Sequence, residues 1–279
     1  MRARVLTSSV WASYIISIAY MSDMKGTIRP GFFTADMMER VKTSTGIKAL
    51  DNLLEGGVEA GLSHLFYGDR SLHKDFLRFA VRAQMPEDQG GTGNPVILID
   101  SANMIKVEQL TDVAYRLELE PEQVMDRIYI TRAFNSSQTY DLIMNQMEGF
   151  FRRIPAKVLL VTGLPNLYIE EGMTVEGLQQ VSHMISKIMT FTLQKNLFTL
   201  VSAPSSQRNK NIPAGGKALA GGCQVHIFVE QTKSYTRYTL TKHPQYPIRN
   251  VSRAIPKDPG GTLPLSYFLK DLREQTEED

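Results

Sequence analysis

The chain has 279 residues, of which 42% are hydrophobic and 22% are charged, a balance that is typical of a globular protein and excludes a disordered or collagen-like chain. Its 31 basic and 29 acidic residues leave a net charge of +2, so no uniform basic field indicates a nucleic-acid partner. The single cysteine, Cys223, cannot close an intramolecular disulfide or form a zinc knuckle alone, and we expect no metal site and a reducing compartment.

The N-terminal residues contain a mostly apolar run, residues 5–20, that follows two arginines and superficially resembles a signal peptide. The run is too short for an ordinary membrane span, and no small-residue cleavage site follows it. Two methionines shortly after it are plausible alternative starts. We therefore interpret residues 1–30 as a poorly ordered extension and expect no membrane partner.

After this extension, short apolar runs alternate with helical patterns, which predicts strands of a mostly parallel sheet joined by crossover helices. The predicted strands are 62–67, 96–99, 127–130, 157–161 and 197–201. The predicted helices are 75–84, 106–117, 137–152 and 174–195. Residues 223–230 and 235–242 alternate around a short polar turn, which predicts an antiparallel hairpin extending the sheet. The fold class is therefore α/β.

A glycine-containing loop follows the first of these strands. Residues 68–75 have the place and length of the phosphate-binding pattern G-x-x-x-x-G-K-[ST], and Gly68 and Lys74 match it. His73 replaces the second glycine and obstructs a cradle of converging N–H groups. Asp75 replaces the hydroxyl residue that would hold Mg²⁺, and we expect its carboxylate to cap the N–H groups that an anion would use.

The surrounding chain resembles the ATPase core of the RecA/RadA recombinase superfamily, in particular the archaeal and eukaryotic strand-exchange recombinases. The similarity runs from about residue 31 to residue 255 and includes residues 31–35 (GFFTA), 43–46 (TSTG), 50–57 (LDNLLEGG), 83–86 (AQMP), 132–135 (RAFN) and 214–219 (AGGKAL). Each of these segments taken alone could be a turn in an unrelated α/β domain. The resemblance implies a RecA-like core at 43–257, a linker at 31–42 and a tail at 258–279.

The chain differs from this family at several positions, and each of these differences removes a group that is thought to serve ATP hydrolysis. Ala102 stands where relatives carry the acidic residue thought to activate water, and a methyl group cannot act as a base. Gly163 stands at the acidic position of the Walker B strand, which supports Mg²⁺. Ala203 and Pro204 replace a polar sensor. We therefore expect no catalytic residues, no bound cofactor and no useful ATP hydrolysis, while weak ATP binding through Lys74 remains open.

The resemblance also implies two kinds of partner. Phe32 and Ala35 match the family's polymerisation motif, in which a linker strand adds to the sheet edge of a neighbouring protomer or an active RadA-type recombinase; the alternative is that Phe32 packs on its own domain. The family's first DNA-facing loop corresponds to the acidic residues 168–172. The second corresponds to 205–214, where we place Arg208 and Lys210 on a flexible segment, with Lys217 after it.

The excess of basic residues around the second loop agrees with its implied role in facing DNA. Residues 201–257 hold nine basic residues against Glu230 alone, a net +8 from nine minus one. This segment is either a solvated sheet edge defended by lysines or a surface that faces a polyanion. From Arg208, Lys210 and Lys217 we expect sequence-independent, salt-sensitive binding to single-stranded DNA.

Together these features predict a non-catalytic recombinase paralogue, a pseudo-ATPase that acts as an accessory factor in homologous recombination and DNA repair. The predicted location is the cytoplasm or nucleoid, or the nucleus of a eukaryote. One alternative is an active DNA-dependent ATPase with an atypical site, in which Lys74 and Asp100 serve nucleotide and metal. A second alternative is a regulatory scaffold without affinity for DNA.

Overall fold

A computed structural model describes residues 40–255 of the chain. The strands are β1 (Lys42–Thr43), β2 (Val58–Glu59), β3 (Ser63–Gly68), β4 (Val96–Asp100), β5 (Ile128–Arg132), β6 (Val158–Thr162), β7 (Phe198–Pro204), β8 (Val225–Gln231), β9 (Tyr235–Lys242) and β10 (Arg249–Ala254). The helices are α1 (Lys48–Leu53), α2 (Leu72–Arg82), α3 (Glu108–Arg116), α4 (Pro121–Met125), α5 (Ser136–Asp141), α6 (Met147–Arg153), α7 (Asn166–Glu170), α8 (Val175–Lys195) and α9 (Gly216–Gly222). A 3-10 turn spans Glu87–Gln89, and a π-helical segment, Leu142–Gln146, joins α5 to α6.

The main sheet has eight strands in the order β10-β9-β8-β3-β7-β6-β4-β5. Strand β3 pairs in parallel with β7 and β8, and β4 pairs in parallel with β5 and β6. Strands β8, β9 and β10 pair antiparallel. These pairings confirm the predicted mostly parallel sheet with an antiparallel extension.

Alternate side chains of the central strands enter two hydrophobic cores, one on each face of the sheet. Phe66 in β3 packs edge to face on Phe76 of α2, with ring centroids 5.4 Å apart. Its neighbour Leu65 belongs to the opposite core, together with Ile188 of α8. Burial on both faces explains why these strands appear in the sequence as continuous apolar runs.

Helix boundaries are set by local capping. The side chain of Thr174 accepts a hydrogen bond from the N–H of Gly177 and begins α8. The helix ends at Asn196, which has φ 51°, in the left-handed region that asparagine tolerates. This long helix confirms the prediction for residues 174–195.

Besides the short helices α1, α4, α7 and α9, the structure differs from the predicted elements in the sheet and at the start of α2. A small ribbon pairs β1 with β2, β10 extends the predicted hairpin to three antiparallel strands, and α2 begins at Leu72 rather than at residue 75. None of the helices within residues 40–255 combines the length and apolar composition needed to cross a bilayer. Phe32, Ala35, the extension 1–30 and the tail 258–279 lie outside the described residues.

Candidate functional site

The first candidate site lies at the carboxyl end of β3, where parallel sheets commonly place ligands. Gly68 ends this strand with φ 123°, and a β-carbon there would stand 2.1 Å from the carbonyl oxygen of Val229 in β8. Only glycine fits this close approach. The glycine that matches the phosphate-loop pattern is therefore required here by contact with the neighbouring strand.

The loop after Gly68 is a tight turn of three residues, 69–71, before α2 begins. The N–H groups of residues 71–74 all donate to oxygens of the same loop, at 2.8–3.2 Å. The side chain of Asp69 accepts the first of these bonds. A phosphate cradle needs several free N–H groups that converge on one point, and these four already have acceptors.

His73 links this turn to β7. Its Nε2 lies 3.1 Å from the Oγ of Ser202, and its Nδ1 lies 2.9 Å from the carbonyl oxygen of Arg70. Ser202 also accepts a hydrogen bond from the N–H of Gly163 at 2.8 Å. Burial lowers the pKa of His73, which favours the neutral ring in this position.

Lys74 lies in the first turn of α2 and points to solvent. Its side chain makes no hydrogen bond or ion pair with any described residue and does not line the cavity next to Gly68. Because the loop is short, α2 begins two residues before Lys74, and this rotates its side chain to the exposed face of the helix.

Asp75 is buried, with 6% of its surface exposed, but its expected role as a cap is wrong. Its carboxylate accepts hydrogen bonds from the hydroxyl of Tyr238 in β9 at 2.7 Å and from Arg253 in β10 at 3.1 Å. Burial raises the pKa of Asp75, and the charge of Arg253 opposes that shift. Asp75 therefore ties α2 to the antiparallel strands.

Ala102 and Gly163 meet at the carboxyl ends of β4 and β6. Gly163 has φ 64°, and a β-carbon at this position would stand 2.8 Å from the β-carbon of Ala102. The nearby carboxylate of Asp100 is fully buried and accepts hydrogen bonds from the hydroxyl of Thr162 at 2.8 Å and from two backbone N–H groups. Arg132 Nε lies 3.4 Å from Asp100 Oδ2. Hydrogen bonds from within the protein thus engage both carboxylate oxygens of Asp100.

The space enclosed by these groups is small. A cavity of about 40 Å³ lies between the β3 turn, Met104, Gly163 and the end of β7. This volume is close to that of one water molecule, whereas sites for small ligands occupy roughly 300–1,000 Å³.

A larger groove, of about 870 Å³, lies between α7, the start of α8, the loop 205–214 and α9. Arg208 and Lys217, two of the three residues expected from sequence to contact DNA, both line this groove, and Arg70 joins them from the β3 turn. Lys210 is exposed but does not line it. Sequence reasoning missed Arg70 because residue 70 was considered only as part of a phosphate loop.

The loop 205–214 is a compact turn, which corrects the expected flexible segment. Ser205 pairs with Pro213, and the N–H of Ala214 donates to the carbonyl of Pro204 at 2.8 Å. From β3, the hydroxyl of Tyr67 donates to the carbonyl oxygen of Asn211 at 2.9 Å. These contacts hold Arg208 at the mouth of the groove.

The acidic segment 168–172 has two separate roles. Glu171 accepts hydrogen bonds from the N–H of Ser136 at 2.9 Å and from its hydroxyl, and so supports the first turn of α5. Glu170 lines the groove that Arg208 and Lys217 share. A single carboxylate therefore faces this groove from the acidic segment.

The basic residues of 201–257 do not form one surface. Arg249 bonds to the carbonyl of Leu53 and to Glu55, and Arg253 bonds to Asp75. Lys242 donates to the carbonyl oxygen of Cys223 at 2.7 Å. A large share of the local excess charge is thus used to hold strands and helices together.

Cys223, His226 and His243 make contacts that stabilise the fold. Cys223 is buried, and burial raises its pKa to about 12. His226 Nε2 lies 3.2 Å from the carbonyl oxygen of Cys223. His243 Nε2 lies 3.5 Å from a carboxylate oxygen of Glu59, and its ring stacks on Tyr246.

Comparison with known proteins agrees with this architecture. A family model described as Rad51 matches residues 37–259, which include the whole described core. A curated relative, the meiotic recombination protein DMC1/LIM15 homolog of Mus musculus, is 26% identical to this chain. That alignment covers 82% of this chain and 74% of the mouse protein.

Proposed function

Because this chain belongs to the Rad51 family, we propose that it is a non-catalytic paralogue that acts as an accessory factor in homologous recombination and DNA repair. Its mouse relative is a meiotic recombination protein, which supports a role in recombination. We propose that it binds single-stranded DNA, an active recombinase, or both.

The observation that carries the proposal is the contact between His73 and Ser202, at 3.1 Å. Both residues line the cavity at the place where the family resemblance implies a triphosphate site. The volume of this cavity is only about 40 Å³. Phosphoryl transfer depends on positioning and on neutralising charge. With Lys74 in solvent and Ala102 and Gly163 at the acidic positions, the groups that do this work in the family are replaced.

The neighbourhood of Asp100 argues against the active alternative. A carboxylate that coordinates Mg²⁺ needs free oxygen lone pairs. Both oxygens of Asp100 already accept protein hydrogen bonds, one from Thr162 and the other from a backbone N–H. A metal there would have to displace these bonds in a fully buried site.

The large groove supports the DNA-binding part of the proposal. Arg70, Arg208 and Lys217 approach it from three different elements, and Glu170 opposes them alone. Basic side chains on backbone turns suit contacts with phosphates better than base readout. We therefore propose weak, sequence-independent binding of single strands along this groove.

The edge of the sheet supports the recombinase-binding part. Within residues 40–255, β5 pairs only with β4 and leaves its outer edge open. An added strand would find free backbone groups there. We propose that the segment containing Phe32 and Ala35 adds as a strand to the corresponding sheet edge of an active recombinase or of a second copy of this chain.

The direct experiment is a pull-down of the host's active recombinase with the purified chain, with and without single-stranded DNA. Capture that DNA strengthens would support an accessory factor that joins filaments. Capture of neither recombinase nor DNA would contradict the proposal. A chain that instead exchanges strands alone with ATP would establish the active alternative.

A further inference from the structure

A second pocket, of about 410 Å³, lies between α1, α2 and β10 and shares no lining residue with the small cavity at Gly68. Its basic lining residues are Lys48, Arg78 and Arg253. The other described residues that line it include the uncharged polar side chains of Asn52 and Ser252, and none of them is a carboxylate. The pocket is therefore open, and its charged lining residues are all basic, with apolar residues such as Ile47 and Val251 between them.

Arg78 is the unusual member of this group. Its Nε is buried and has no hydrogen-bond acceptor among the described residues. Burial, followed by the positive charge of Arg253, lowers the pKa of Arg78, and Arg116 acts in the same direction. A guanidinium that is half withdrawn from water and whose buried Nε lacks an acceptor is costly unless an anion completes it.

The charges around Arg78 do not balance within the described residues. The charge of Asp75 acts on Arg78 and raises its pKa, opposing the effect of burial. This carboxylate forms its ion pair with Arg253, at 3.1 Å, and also accepts the hydroxyl of Tyr238. Lys48 is exposed, and within the described residues neither Lys48 nor Arg78 forms an ion pair with a carboxylate.

Phosphate fits this surplus better than a carboxylate does. A phosphate monoester carries about −1.5 to −2 charges and three strong acceptor oxygens, which matches two uncompensated cations. The planar fork of a guanidinium matches phosphate oxygens in pairs. Asn52 and Ser252 at the rim offer further donors.

We propose that the pocket formed by Lys48, Arg78 and Arg253 is a binding site for a phosphate group, carried either by a free phosphate compound or by a polynucleotide backbone. This site is separate from the cavity at Gly68 and from the groove at Arg208, since it shares no lining residue with either. It does not depend on whether the chain hydrolyses ATP.

The test uses the full chain and two probes, inorganic pyrophosphate and an oligothymidylate, with binding followed by titration calorimetry at fixed ionic strength. Arg78→Gln removes the unpartnered charge and is expected to weaken binding about tenfold, the loss typical of a charged hydrogen bond. The matched control is Arg153→Gln. Arg153 is exposed at the end of α6, outside this pocket, and its replacement changes the net charge equally.

Selective loss of pyrophosphate binding in Arg78→Gln would support a site for free phosphate compounds. Loss of oligothymidylate binding alone would support a backbone phosphate as the ligand. If Arg78→Gln and Arg153→Gln bind both probes as the unaltered chain does, or lose binding equally, or if the unaltered chain binds neither probe, the site does not exist.

Lys48→Gln keeps the test decisive if Arg78→Gln fails to fold. Lys48 is exposed at the start of α1, so its replacement leaves the core intact. We expect about threefold weaker binding of the same probe, in keeping with a more exposed charge. Unchanged binding in a folded Lys48→Gln variant, beside an unfolded Arg78→Gln, would overturn the proposal.

Discussion

The hydroxyl of Tyr238 donates to the Oδ2 of Asp75 at 2.7 Å, and both side chains are buried. In the phosphate-loop pattern position 75 carries a hydroxyl that faces magnesium. Here it carries a carboxylate that faces β9 and β10. The first turn of α2 is therefore anchored to the antiparallel strands, and position 75 has become part of the core.

Replacing Tyr238 with phenylalanine tests this anchor. Tyr238→Phe leaves a buried carboxylate with one donor fewer, and we expect the free energy of unfolding to fall by about 1–3 kcal/mol. Urea unfolding followed by circular dichroism measures the change. Tyr129→Phe is the control, because Tyr129 is 45% exposed on β5 and its hydroxyl makes no hydrogen bond with a described residue; equal effects of the two variants would contradict the anchor.

The folded chain should lose stability in acid because of a buried cluster of ionisable side chains around Glu59 in β2. Burial alone would raise the pKa of Glu59, but His243, Lys42 and His64 together lower it to about 2 from 4.5. Burial lowers the pKa of His64 to about 4 from 6.5.

The direction in which stability changes with pH follows from the uptake of protons on unfolding. Both groups have lower pKa values in the folded chain, so the unfolded chain binds more protons and stability is lost as pH falls. His64 contributes the loss between pH 6.5 and about 4, and Glu59 contributes it between pH 4.5 and about 2. In Glu59→Gln the second phase should disappear from a series of unfolding curves; a wild-type phase below pH 4.5 that persists in this variant would refute the assignment.

Lys74 should be dispensable. Because it is exposed without a partner, Lys74→Ala should change the free energy of unfolding by no more than about 0.5 kcal/mol. It should also leave phosphate release from ATP at the background level of the unaltered chain. Activity in the unaltered chain that Lys74→Ala removes would restore the lysine to its role in a phosphate loop.

Salt dependence tests whether the predicted DNA contacts that line the groove contribute more than Lys210, which does not line it. Reversing Arg208 and Lys217, which line the groove, should reduce the slope of log affinity against log salt by about 1.4, or about 0.7 for each lost phosphate contact. Reversing Lys210, which lies outside the groove, should reduce it less. Fluorescence anisotropy with a labelled oligonucleotide at several salt concentrations measures the slopes, and Lys106→Glu, at an exposed site outside the groove, controls for net charge.

Association through the linker has its own test. Phe32→Glu should abolish association with a recombinase partner or a second copy, because an ionised carboxylate cannot enter an apolar pocket without a large desolvation cost. Light scattering reports the size of the complex. An unchanged size would show that Phe32 packs elsewhere.

Apolar runs allowed the central strands to be predicted within one to three residues at each end, because burial on both faces leaves a continuous signal. The placement of Ala102 and Gly163 near the carboxyl ends of β4 and β6 could also be predicted, since both residues follow predicted strands. The contacts of the Asp75 side chain could not be predicted, because its partners Tyr238 and Arg253 lie more than 160 residues away along the chain. The exposure of Lys74 depends on a loop that is three residues shorter than predicted, because α2 begins at Leu72, and spacing alone did not reveal this.

Equilibrium binding of labelled ATP with Mg²⁺ to the full chain tests the central claim most directly, with dialysis at protein concentrations up to the micromolar range. A cavity of about 40 Å³ closed by His73 and Ser202 predicts no saturable binding that Lys74→Ala diminishes. Saturable, Mg²⁺-dependent binding that is lost in Lys74→Ala and accompanied by turnover would contradict it.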